Sequence, residues 1–124
     1  MNCPDEIAQR MILTAGEDGT ARGSLRLPET FLGFHGHFPG NPVLPGICFI
    51  QIAEAFLRKV SGHRLHLRGL KKTKFLSIVR PDMELFITGG VSEEAALVTG
   101  DIRIEDGEGH RLALVKLTME KEAE

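Results

Sequence analysis

Tryptophan and tyrosine are absent from this 124-residue sequence, so seven phenylalanines supply its aromatic rings apart from histidine. Four of them, Phe31, Phe34, Phe38 and Phe49, share one stretch, which points to an apolar pocket or core centre there. Cysteine is almost missing: Cys3 and Cys48 form neither a disulfide framework nor a metal-binding spacing. Nothing at the N-terminus resembles an export signal, and a reducing, cytoplasmic setting is expected. Long apolar runs are missing too. The longest, Ile47 to Leu57, is interrupted by Gln51 and Glu54 and is too short for a bilayer, so no membrane span is expected. Charge of one sign is not in excess, with a net of −2, and nucleic acid is a poor candidate partner.

The composition, with 42% hydrophobic and 26% charged residues, fits a globular chain rather than a disordered or fibrous one. The length suits one domain over residues 1–124. Charge is unevenly spread: from Arg58 to Arg80 every charged residue is basic, and acids dominate from Glu93 onward. Such a segment is either a solvated face or a docking surface for an acidic partner.

Along the chain, a first strand is expected through Ala8 to Thr14, behind a loose terminus holding Cys3, Asp5 and Glu6. A second covers Thr20 to Leu27, where Ala21, Gly23, Leu25 and Leu27 alternate with polar residues. Residues Glu29 to Pro45 are rich in Gly, Pro and Phe and read as a long, stiff loop without regular structure. A loop of that length held rigid by prolines points to function. Pro45 suits the first turn of a helix running from about Gly46 to Val60. That helix is apolar around most of its circumference, leaving a narrow polar stripe of Gln51, Glu54 and Arg58. Gly62 suits its left-handed end.

Only strand patterns follow: Leu65 to Phe75, Glu84 to Val91, Ala95 to Glu105 and His110 to Glu120. The last two are joined by the turn Asp106 to Gly109. One buried helix with strands before and after it implies an α+β architecture, an antiparallel sheet curled around the helix.

The segment His37-Phe38-Pro39-Gly40-Asn41-Pro42-Val43-Leu44-Pro45-Gly46 resembles the signature of the hot-dog-fold 3-hydroxyacyl carrier-protein dehydratases of the FabZ/FabA type. Gly69-Leu70-Lys71-Lys72, Lys74-Phe75 and Arg80-Pro81-Asp82 extend the resemblance, which covers about two thirds of the chain. It implies a hot-dog fold and removal of water from a 3-hydroxyacyl thioester, giving the trans-2-enoyl thioester in fatty-acid or polyketide-type biosynthesis. No cofactor and no metal are implied.

The residues support the same chemistry independently. Dehydration needs a base for the carbon beside the carbonyl and a proton for the departing hydroxyl. His37, whose ordinary pKa of ~6.5 leaves it available in neutral form at cytoplasmic pH, suits the base. The backbone amide of Gly46, at the start of the helix, supplies a fixed dipole for the developing enolate. In the family, an acid lies fourteen residues after the motif histidine and serves the partner subunit's histidine. Here that position is Gln51, which forms hydrogen bonds but does not transfer protons near neutral pH. If a true acid is required, the loss is about 10²- to 10⁴-fold in rate.

Three readings follow. His37 alone abstracts and returns the proton while Gln51 orients the hydroxyl; the protein binds the thioester without dehydrating it; or Glu54 replaces the acid. An ion pair of Glu54 with Arg58 is the more economical use of Glu54. A hot-dog thioesterase, with Glu54 activating water, is the competing enzyme class.

The catalytic set is therefore His37, Gln51 and Gly46, with Phe38, Pro39, Gly40, Leu44, Pro45 and Phe49 as substrate-binding residues. The expected partner is an acyl carrier protein bearing a phosphopantetheine thioester, docked at Arg64, Arg68, Lys71, Lys72 and Lys74. A homodimer or larger homo-oligomer is expected, because a helix this apolar inside one short sheet leaves edges and apolar surface uncovered. His35 and His37 lack a third metal ligand, Cys48 reads as a packed apolar side chain, and His63, His66 and His110 read as surface histidines.

Overall fold

Capping, charge placement and glycine spacing account for most of the architecture. The computed structural model describes residues 2–14, 20–35 and 40–123. Its elements, in chain order, are α1 (Cys3–Arg10), β1 (Ile12–Leu13), β2 (Thr20–Arg26), a 3-10 turn (Leu32–Phe34), α2 (Gly46–Ser61), β3 (Leu65–Phe75), β4 (Glu84–Glu94), β5 (Leu97–Glu105) and β6 (Arg111–Lys121). The strands form one antiparallel sheet in the order β1-β2-β4-β5-β6-β3. The sheet packs one face against α2, the α+β hot-dog arrangement.

Four expectations are corrected. The region holding Cys3, Asp5 and Glu6 is a helix rather than a loose end, and the strand expected over Ala8–Thr14 shrinks to Ile12 and Leu13. The cause is local. The Asn2 side chain accepts from the Asp5 amide at 2.9 Å, a proline occupies the first turn, acids sit at the start and Arg10 at the end. Arg10 also pairs with Glu6 one turn back at 2.8 Å, and Ile7 is fully buried. Residues 29–45 are not wholly irregular, because Leu32–Phe34 form a 3-10 turn with Phe34 edge-on to Phe31. Pro45 is the residue before α2 rather than part of its first turn.

The central helix lies close to the sheet because glycines stand beneath its largest side chains. A Cβ on Gly89 would come within 2.6 Å of Ile102 and 2.9 Å of Phe56, and one on Gly100 within 2.7 Å of Leu57. Phe56, Leu57 and Ile52 fill that space with no exposure. Gly62 ends α2 in the left-handed conformation, its amide bonding to the Arg58 carbonyl at 2.9 Å. The β5–β6 turn is held by Asp106, whose carboxylate accepts from the Glu108 and His110 amides at 2.9 Å each.

Strand β3 departs from simple alternation. Two bulges leave Arg68 and Lys71 without partners in the pairing with β6, so Leu67 faces Met119, Leu70 faces Leu117, Thr73 faces Val115 and Phe75 faces Ala113. These β6 residues are all fully buried on the side of the sheet that meets α2. Unbroken alternation from Leu67 would have turned Lys71 to that side and Leu70 away from it. Yet the helix does not cover the row: Leu67, Leu70 and Phe75 remain 37%, 44% and 50% exposed. The outer edge of β3 has no neighbouring strand among the described residues.

Candidate functional site

Expected site residues gather around the start of α2. His37, Phe38 and Pro39 lie outside the described residues. The segment that follows them is pinned. Gly40 takes a left-handed φ of 80°, the Asn41 side chain accepts from Arg80, and the Leu44 amide donates to the Val79 carbonyl at 2.8 Å. Leu44 is buried, and Pro45, locked at φ −65°, directs the chain into α2. The Arg80 region, expected only as a turn, therefore anchors the loop. A basic residue followed by proline before a strand was its only signal in the sequence.

Gly46 opens α2 without a side-chain cap, and among the described residues no acceptor takes its amide or that of Ile47. Such amides attract partial negative charge. Gly46 does not take a positive φ, so its lack of a side chain concerns space rather than backbone conformation. Phe49, one turn further on, is buried and stacks on Phe75, ring centroids 5.5 Å apart. Phe75 was not singled out as a site residue; its place at the end of a strand beside basic residues gave no hint of its position over the helix.

Gln51 carries the one buried side-chain oxygen or nitrogen without a hydrogen-bond partner among the described residues, its Oε1. A buried amide oxygen left unpaired is costly, about 1–3 kcal/mol, so this atom is poised to accept from a donor supplied from outside the described chain. Glu54 lies on the same helical stripe. Burial pushes its carboxyl above the ordinary range, and Arg58 only partly opposes this. Their ion pair is loose at 3.9 Å, because Arg58 Nε donates to the Leu65 carbonyl at 3.0 Å instead. Cys48 is buried, and burial with Cys3 nearby pushes its thiol up to about 11, consistent with a packed side chain rather than a nucleophile.

The expected docking residues separate into two groups. Arg68 and His66 both reach the Glu120 carboxylate, at 2.8 and 3.2 Å. Lys72 lies opposite Lys116 and Lys74 opposite Leu114, on the sheet face turned away from α2. Lys71 occupies a bulge, and Arg64 precedes β3 on the surface. Among the described residues none of Arg64, Lys71, Lys72 and Lys74 forms an ion pair. No three described His, Cys, Asp or Glu side chains converge on a common point, and no helix is long and apolar enough to cross a membrane.

Residues 14–110 match the ApeI-like family model, described as ApeI dehydratase. The FabZ 3-hydroxyacyl-acyl-carrier-protein dehydratase of Latilactobacillus sakei is 33% identical over 102 residues, 75% of this chain and 71% of that protein. That of Ligilactobacillus salivarius is 34% identical over 76 residues, 56% of this chain and 53% of that protein. The chain thus spans about half the length of several curated relatives it matches. Among solved structures, the ApeI:P dehydratase heterocomplex of Xenorhabdus doucetiae superposes with a TM-score of 0.71 at 20% identity, covering 88% of this chain and 94% of that one. A hypothetical thioesterase with coenzyme A from Streptococcus pneumoniae gives 0.72 at 13% identity, covering 94% and 88%. These two likenesses speak for the fold alone. With most of its length matched, from Thr14 through the turn at His110, the chain belongs to the ApeI-like dehydratase family.

Proposed function

We propose that this protein removes water from a 3-hydroxyacyl thioester carried on the phosphopantetheine arm of an acyl carrier protein. The thioester carbonyl accepts from the Gly46 amide, which spreads the charge that develops when a proton leaves carbon 2. His37 takes that proton. Its electron pair forms the double bond to carbon 3 as the carbon–oxygen bond breaks, and the imidazolium returns the proton to the departing hydroxyl, giving water and the trans-2-enoyl thioester. Gln51 orients that hydroxyl by accepting its hydrogen bond. The observation that carries this reading is the buried Oε1 of Gln51, without a partner among the described residues, fourteen residues after His37 and on the helix that begins at Gly46.

The functional unit is a homodimer joined along β3. Support comes from the unpaired edge of that strand and from its half-exposed row of Leu67, Leu70 and Phe75. The carrier docks on the basic face around Lys71, Lys72 and Lys74, an electrostatic contact that weakens with salt.

Incubation with 3-hydroxyacyl-carrier thioesters of several chain lengths, followed by mass spectrometry, tests the reading. Loss of one water is expected, falling at least 10²-fold in His37→Ala. A wild-type protein that binds these thioesters but never dehydrates them overturns it. One feature favours a hydrolase instead: the half-buried Glu54, raised in pKa and weakly paired. Release of free acid, abolished by Glu54→Gln, would identify that activity.

A further inference from the structure

The ring of Phe75 packs beside Gly46, the residue whose amide opens α2. A Cβ on Gly46 would sit 2.7 Å from Phe75 Cε2 and 3.2 Å from both Cδ2 and Cζ. The ring therefore occupies the space where a side chain at the first residue of α2 would stand. Two neighbours hold it there. Its backbone is paired with Ala113, the smallest side chain in the buried row of β6, and its face stacks on Phe49 with an interplanar angle of 23°. Phe49 is only 2% exposed, whereas Phe75 is half exposed. A molecule bound at the Gly46 amide would thus have the Phe75 ring beside it, with Phe49 buried behind that ring.

The consequence is steric. A carbonyl oxygen hydrogen-bonded to the Gly46 amide lies about 2.9 Å from that nitrogen; with its acyl side turned toward Phe75, the carbon next to the carbonyl comes against the ring. A methylene beside the carbonyl passes a flat ring edge; a branched carbon presents an extra methyl to it.

We propose that Phe75 determines specificity for the carbon next to the thioester carbonyl, admitting unbranched acyl groups and excluding those with a substituent at carbon 2. This rests on the reading that the thioester docks at Gly46. One methyl group in an apolar contact is worth about 10- to 200-fold in discrimination, which sets the expected size of the effect.

The test compares straight-chain and 2-methyl-branched 3-hydroxyacyl thioesters on a carrier protein, with wild type, Phe75→Leu and Phe75→Ala. The wild type is expected to favour the straight chain by at least 10-fold in kcat/KM, and both variants to lower that preference at least 5-fold. Binding of straight and 2-methyl acyl-pantetheine analogues, with a methylene in place of the sulfur, is measured by calorimetry in parallel and needs no turnover. If no water is lost but the variants relax the binding preference, the dehydratase reading fails and the role of Phe75 stands. If preference is unchanged within 2-fold in both measurements for folded Phe75→Leu, the role of Phe75 is overturned while water loss by wild type still upholds the reaction. Should Phe75→Ala not fold, Phe75→Leu alone decides.

Discussion

Strands β5 and β3 present similar apolar rows to the same side of the sheet, yet they end up in opposite environments. On β5, Val98, Ile102 and Ile104 are fully buried beneath α2. On β3, Leu67, Leu70 and Phe75 face the same way through two bulges but stay a third to a half exposed. The difference is coverage: α2 packs fully over β5, while over the β3 edge its reach is partial, through the Phe49–Phe75 stack. Apolar residues on β5 stabilise the chain itself. Those on β3, kept on the helix side through two ladder irregularities, are the row on which the proposed homodimer would close.

The sharpest break in this contrast comes from deleting one apolar side chain on each strand. Ile102→Ala is expected to lose about 2–5 kcal/mol in urea unfolding, the usual cost of a cavity in a packed core. Leu70→Ala should cost the unassociated chain less than ~1 kcal/mol and instead weaken self-association in sedimentation velocity. Equal destabilisation with no change in assembly would show that β3 serves the monomer.

Next in size is the chemistry. Gln51→Glu restores a transferable proton at the amide position and should speed water loss about 10²-fold, measured on carrier thioesters in single turnover. An unchanged rate would mean that His37 alone limits the reaction. Adding side chains to glycines comes third. Gly100→Val, with Leu57 at 2.7 Å from the new Cβ, should destabilise by about 1–3 kcal/mol, whereas Gly69→Val, with open space around it, should change stability by less than ~0.5 kcal/mol. A matched loss in both, read from thermal melting, would remove the distinction between centre and edge.

The smallest effect concerns the tie between β3 and β6. Arg68 beside Glu120 holds its carboxyl below the ordinary range despite some desolvation, and His66 adds to this. A depressed carboxyl stabilises the fold above its unfolded pKa, and that contribution is lost as pH falls through the lower folded value. Glu120→Gln should therefore lower stability slightly at neutral pH, where the charged pair contributes, and flatten the profile below about pH 4.5. An identical acid slope in the variant would show that this exposed pair contributes nothing.

Much of this was legible in the residues. Strand β3 follows the expected Leu65 to Phe75 range, and α2 runs from Gly46 to within a residue of its expected end, because Pro45 and Gly62 punctuate it. The amino-terminal helix was missed because its signal is a cap and a proline rather than an apolar period. At the candidate site, Gly46 and Gln51 were legible from spacing. Phe75 was not, since twenty-nine residues separate it from Gly46 and only the pairing of β3 with β6 carries it there.

The sequence by itself therefore determined the α+β class, the central helix, four long strands and the family signature, all of which depend on residues close together in the chain. Tertiary structure alone decided which apolar rows are covered, that Phe75 closes over the start of the helix, and that the Gln51 oxygen is buried without a partner among the described residues. The reason is physical: periodicity and capping act over a few residues, whereas coverage and hydrogen-bond satisfaction depend on packing between elements far apart in sequence.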